Sequence, residues 1–221
     1  MPEMAWIGWL AGLDNPLAAL RAFSRQYHYF SMNQVVAFSR IFATIPATDR
    51  TSLALLSKVL FEELGEGRPD RVHSVLFERF ARAVGTDIAR LPISEGDVVP
   101  GVRDYVGELR AAFGGPLPRA LAAYLFLESS AVETYGPLLQ ALGTFGIADE
   151  DLEFFAIHAG LEPEHAAAAA SMVERAGLSG AARDAFDDQT ARMGERWARF
   201  WIDIHAACLD EHARAHGDVP R

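Results

Sequence analysis

Apolar residues recur at helical spacing along nearly the whole chain, and Gly/Pro breaks such as "GEGRP", "RLPISEGDVVPG", "GGPLP" and "GIADED" cut that periodicity into segments. Alternating β-branched runs are rare, so the pattern demands an all-α fold. The stripes place helices at about 16–30, 32–45, 48–64, 69–84, 98–113, 117–143, 149–175 and 180–213. At 221 residues the chain is expected to form one domain over 1–221, with 214–221 as a loose tail.

Polar groups interrupt these stripes on their inner side. In "HAGLEPEH", His158, Glu162 and His165 fall at i, i+4 and i+7, on one line with Phe155, Ala169 and Met172. Burying each such group without a partner costs roughly 2–7 kcal/mol, and a metal ion is the simplest partner. Pro163 removes a backbone donor and disfavours α geometry at Glu162, so a kink or break is expected there.

The same test on other helices yields three more interruptions. Glu63 ends the stripe Leu53, Leu56, Leu60, while Lys58 and Glu62 pair at i, i+4 on the outer face. His73 opens the stripe Leu76, Phe77, Phe80, Val84, and Glu128 sits between Tyr124 and Ala131 on the stripe that ends at Tyr135. Three carboxylates and three imidazoles thus converge from four helices. The set differs from the four carboxylates and two histidines of ferritin-like bundles. Oxygen and imidazole donors suit iron, manganese or zinc, and two metals about 3.5–4 Å apart would use all six.

Other features bound the function. A net charge of −10 disfavours nucleic acid and anionic lipid as partners. No window holds eighteen uncharged apolar residues and the N-terminus lacks a basic leader, so a cytoplasmic location is expected. The single Cys208 excludes an internal disulfide and a cysteine metal cluster. Trp6 and Trp9 read two ways, as packing across a homodimer or as capping the bundle, whereas Trp197 and Trp201 belong to the core.

Glu-x9-His in "ELGEGRPDRVH", the isolated Glu of "LFLE", His-x3-Glu-x2-His in "HAGLEPEH" and the lead-in "EDLEFFAIH" together resemble the haem-oxygenase-like di-iron oxidases and oxygenases. The resemblance covers roughly 16–210. It implies a bundle of about seven helices holding two non-haem irons, with manganese as an alternative, and dioxygen as co-substrate. The implied ligands are Glu63, His73, Glu128, His158, Glu162 and His165; Glu162 departs from the Asp of most members. The implied reaction is oxidation of a small amino-acid-like or fatty-acid-like metabolite, by C–C cleavage, desaturation or N-oxygenation, with an electron donor that the sequence does not identify. Tyr27, Tyr124 and Phe155 are the expected substrate-pocket residues.

In the N-oxygenating branch a further carboxylate from the helix before Glu63 joins the site, and between 15 and 61 only Asp49 is acidic. A self-sacrificing route would need a tyrosine and a lysine, yet the only lysine is the outward Lys58. Three competing readings share the helical fold. A haem-degrading enzyme would rely on His28, a metal-free thiaminase-type hydrolase on Cys208, and a non-enzymatic interaction module on neither.

Overall fold

The computed structural model describes residues 1–91 and 94–217, and among them eight α-helices and no strand. They are α1 (Pro2–Ala11), α2 (Leu17–Phe38), α3 (Arg50–Glu63), α4 (His73–Ala83), α5 (Pro100–Phe113), α6 (Leu117–Gly143), α7 (Glu153–Ala176) and α8 (Ala181–His216). Among the described residues no helix is long and apolar enough to cross a membrane.

The all-α expectation holds, with four local differences. Helix α1 lacks a one-sided stripe because apolar residues ring it; burial of Trp6, Ile7 and Leu10 holds it in place. Trp6 packs on Phe23 and Trp201 with ring centroids 4.7 and 5.2 Å away, which makes it a cap on the bundle. The two helices expected at 16–30 and 32–45 are one helix, α2, followed by a 3-10 stretch over Ser39–Thr44. No Gly or Pro separates them, and the Asn33 amide donates to the Tyr29 carbonyl one turn back at 2.7 Å. Residues 214–216, expected in the tail, continue α8, while 218–221 lie outside the described residues.

The fourth difference is Pro163. Helix α7 runs through it without a break, and the proline ring faces solvent. An exposed proline leaves the carbonyl it cannot serve accessible to water, which lowers its cost. His158, Glu162 and His165 consequently keep the helical spacing that puts them on one face.

An aromatic cluster fills the middle of the bundle. Phe23, Phe77, Phe80, Phe154 and Phe155 are all buried, and Phe77 lies 5.1 Å from Phe154, which in turn lies 4.3 Å from the His158 imidazole. Trp197, Phe200 and Trp201 close the cluster from α8, as expected of the two tryptophans. Cys208 is buried there as well.

The chain between α3 and α4 has to reverse tightly so that the last residue of one helix and the first of the next meet. Three successive residues adopt left-handed backbone to do so, Gly65, Glu66 and Gly67, at φ of 68, 56 and 80°. A Cβ on Gly65 would lie 2.6 Å from the Val72 nitrogen, so only glycine fits. Gly65→Ala is expected to cost about 3 kcal/mol through strain and clash. Gly146→Ala, at φ 70° with nothing within 4 Å, should cost only about 1–2 kcal/mol. Chemical denaturation of both variants checks this, and equal losses would mean that the turn yields freely.

Candidate metal centre

Four helices deliver the site, each for a local reason. Glu63 ends α3 and His73 opens α4, joined by the left-handed turn; Glu128 lies in the middle of α6; His158, Glu162 and His165 line one face of α7. All six residues are buried, none exposed by more than 8%. Their atoms fall into two groups in which one ligand atom from each residue lies within 4.8 Å of the others: Glu63, His73 and His158, and Glu63, Glu162 and His165. Glu63 belongs to both. Glu128 stands beside the second group, with Oε2 3.6 Å from His165 Nδ1.

The rings are oriented nitrogen by nitrogen. His158 Nδ1 donates to the Phe154 carbonyl at 2.7 Å, which leaves Nε2 facing His73 Nδ1 at 3.2 Å and Glu63 Oε1 at 3.8 Å. His73 Nδ1 is 3.2 Å from Glu63 Oε1. His165 turns its Nδ1 toward Glu128 and Glu162, while Nε2 donates to Glu62 Oε2 at 3.1 Å.

A cation fits this arrangement. Glu162 Oε2 and His165 Nδ1 are buried, lack a hydrogen-bond partner, and lie 3.8 Å apart in the same group. Leaving them unpaired is costly, and three carboxylates crowded out of water need positive charge. The donors are carboxylate oxygen and imidazole nitrogen, a set suited to iron, manganese or zinc.

The electrostatics report the same crowding. Burial opposes ionisation of Glu63, but the imidazoles of His73, His158 and His165 hold its carboxyl down at about 2. Burial and the adjacent Glu128 carboxylate push Glu162 well above the usual carboxylate range. Burial lowers His158 to about 4. At His165 burial also opposes charge, yet the Glu128 carboxylate beside Nδ1, together with those of Glu63 and Glu62, lifts it to about 9.

A cavity of about 30 Å³ adjoins the carboxylates, lined by Tyr27, Phe30, Gln34, Phe38, Leu127 and Tyr135 among others. That is room for a water or two, or a diatomic gas. Of the three expected pocket residues Tyr27 lines this cavity, whereas Tyr124 packs on Phe38 and Phe155 on Phe80, both in the core. The Tyr27 hydroxyl shares a 2.7 Å hydrogen bond with that of Tyr135, and the Tyr135 ring lies 4.5 Å from that of His158.

Sequence reasoning missed Tyr135 as a lining residue although it closes the Glu128 stripe. It also missed Gln34, whose amide donates to Glu63 Oε2 at 3.4 Å, and it turned Glu62 wholly outward. Lys58 and Glu62 do pair, at 3.0 Å, but the Glu62 side chain also reaches inward to His165.

The residues of the competing readings lie elsewhere. His28 Nε2 faces Glu78 Oε1 at 3.3 Å. Burial pushes the Cys208 thiol up to about 12, far from a reactive thiolate.

Residues 21–194 match the family model described as iron-containing redox enzyme. The chain also superimposes on a crystal structure from Shewanella denitrificans OS217, described as a domain of unknown function with a heme oxygenase-like fold, with a TM-score of 0.74. The two are 14% identical over 97% of this chain and 87% of the other, a likeness of fold. No curated protein matches the chain.

The titrations fix how the metal-free protein responds to pH. His165 holds its proton up to about 9 when folded, against 6.5 ordinarily, so its stabilising contribution is complete below 6.5 and lost as pH rises to 9. The raised Glu162 carboxyl adds loss in the same direction above its ordinary 4.5. Glu63 acts oppositely, its contribution being present above 4.5 and lost toward 2, and His158, held at about 4, weakens the fold as pH falls below 6.5. The thermal midpoint of the metal-free chain should therefore fall between pH 6.5 and 9, and fall less in Glu162→Gln; calorimetry across that range checks both.

Proposed function

Because the chain belongs to the family of iron-containing redox enzymes, we propose that it is a non-haem di-iron oxidase or oxygenase that uses dioxygen to oxidise a small metabolite. The observation that carries this reading is the sharing of Glu63 between two buried ligand groups. A carboxylate has two oxygens and can serve two cations at once, which a neutral imidazole, with one lone-pair nitrogen, cannot. His73 and His158 would complete one position and Glu162 and His165 the other, with Glu128 beside the second. Two bound irons would supply electrons to dioxygen and a Lewis-acidic surface for the substrate.

The protein's own groups set the conditions for that chemistry. Phe77, Phe154 and the Tyr27–Tyr135 pair exclude bulk water from the site, which strengthens every charge interaction inside it. Burial raises both phenols, so they stay protonated; one O–H donates to the other phenol, which leaves one O–H in the cavity beside the carboxylates. The His158 ring is neutral at physiological pH, which leaves Nε2 free to ligate.

The cavity beside the carboxylates is of a size for dioxygen. Phe30, Val35, Phe38, Leu127 and Trp197 form the apolar part of its wall, and among the described lining residues none is Lys or Arg. The residue that α2 turns toward Glu63 is the amide Gln34, while Asp49 caps α3 and pairs with Arg175. Resemblance to the N-oxygenating branch would call for a carboxylate there, so C–C cleavage or desaturation is favoured over N-oxygenation. Lys58 is engaged at the surface by Glu62 and Glu164, which disfavours a route that consumes a lysine.

Anaerobic ferrous reconstitution tests the reading directly. About two irons should bind per chain. Glu63→Ala should lose both, His73→Ala chiefly one and His165→Ala chiefly the other, and oxygen consumption should vanish in all three. Binding of a single iron that survives Glu63→Ala would sink it.

A further inference from the structure

The two groups that share Glu63 orient their histidines by different means. In the first, His158 presents Nε2 and ties Nδ1 to the carbonyl of Phe154, one turn earlier in its own helix, at 2.7 Å. That restraint is local and comes with the helix. In the second, His165 presents Nδ1, the nitrogen nearer its backbone, so Nε2 points away from α7 and needs a partner from another element. Glu62 of α3 supplies it, with Oε2 at 3.1 Å.

Glu62 is itself held. Its Oε1 lies 3.0 Å from Lys58 Nζ, one turn earlier, and the same ammonium reaches Glu164 Oε1 on α7 at 2.7 Å. Lys58, Glu62 and Glu164 therefore tie α3 to α7 on the solvent side of His165. Successive residues of a helix diverge by about 100°. The same turn of α3 thus aims Glu63 into the centre and Glu62 at the back of a ligand ring.

We propose that Glu62 is a positioning residue for His165: anchored by Lys58, it accepts the Nε2 proton, keeps Nδ1 directed at Glu128 and Glu162, and so governs retention of the metal in the Glu63–Glu162–His165 group. This rests on the di-iron reading for the metal, and on geometry alone for the ring. Carboxylates that hold a ligand histidine from behind fix its tautomer and raise its basicity, and losing one costs about 10–100-fold in metal affinity. The two positions should accordingly differ in their response to one substitution outside both groups.

The test is an anaerobic ferrous titration of the full chain as wild type, Glu62→Ala and Glu62→Gln, paired with proton NMR of the metal-free His165 ring, assigned by the resonance missing from His165→Gln. Glu62→Ala should weaken one position about 10–100-fold and leave the other unchanged, and the Nε2 proton should lose its protection from solvent exchange. Glu62→Gln should restore most of both, because its amide oxygen still accepts that proton. Several results would overturn the proposal: no change in either readout, equal weakening of both positions, or a Glu62→Gln variant as impaired as Glu62→Ala, which would make Glu62 a ligand. A wild type that takes up no iron would overturn the di-iron reading and the retention claim together, while the ring proton would still decide whether Glu62 positions His165.

Discussion

Three carboxylates and three imidazoles buried in one place set the terms for the rest of this bundle. Removed from water, each must find charge or hydrogen bonds inside the protein, and they satisfy one another only in part. Glu63 gains from three imidazoles, whereas Glu128 and Glu162 repel each other and leave one oxygen and one ring nitrogen unpaired. A cation would satisfy the atoms that such a cluster leaves unpaired. The aromatic packing around it matters for the same reason, because a wet site would screen the repulsion and remove the demand.

The six polar side chains reach the centre by two routes of different rigidity. Helix α7 carries three of them at fixed helical spacing and packs extensively against α6, which carries Glu128. Glu63 and His73 instead flank a turn of three left-handed residues at the end of α3. The shared carboxylate is thus the one whose placement depends on a helix end, and Lys58, with Glu62 and Glu164, ties that end to α7. A change at Glu63 itself would reach both groups.

How much was legible in the sequence follows from what kind of signal each residue leaves. Glu128, His158, Glu162 and His165 stand out because a polar group on an apolar stripe is visible at a period of 3.6. Glu62 and Gln34 do not, since each lies at the margin of a helix face and turns inward only because a particular neighbour, His165 or Glu63, is there. Helix α1 was hidden for another reason, its apolar residues circling the axis so that no face is distinguished. Pro163 misled in the opposite direction, since its penalty depends on whether the orphaned carbonyl meets water, a property of the folded surface.

Helical periodicity and the residues that break it belong to the sequence itself, because both are local: the all-α class, most helix spans and the six inward polar groups follow from side chains three or four positions apart. Which atoms face one another was decided only by the tertiary structure. The sharing of Glu63, the orientation of each ring, the narrow cavity beneath Tyr27 and Tyr135, and the reach of Glu62 behind His165 join residues as many as 108 positions apart. Nothing local records such distances, because they arise from how whole helices pack.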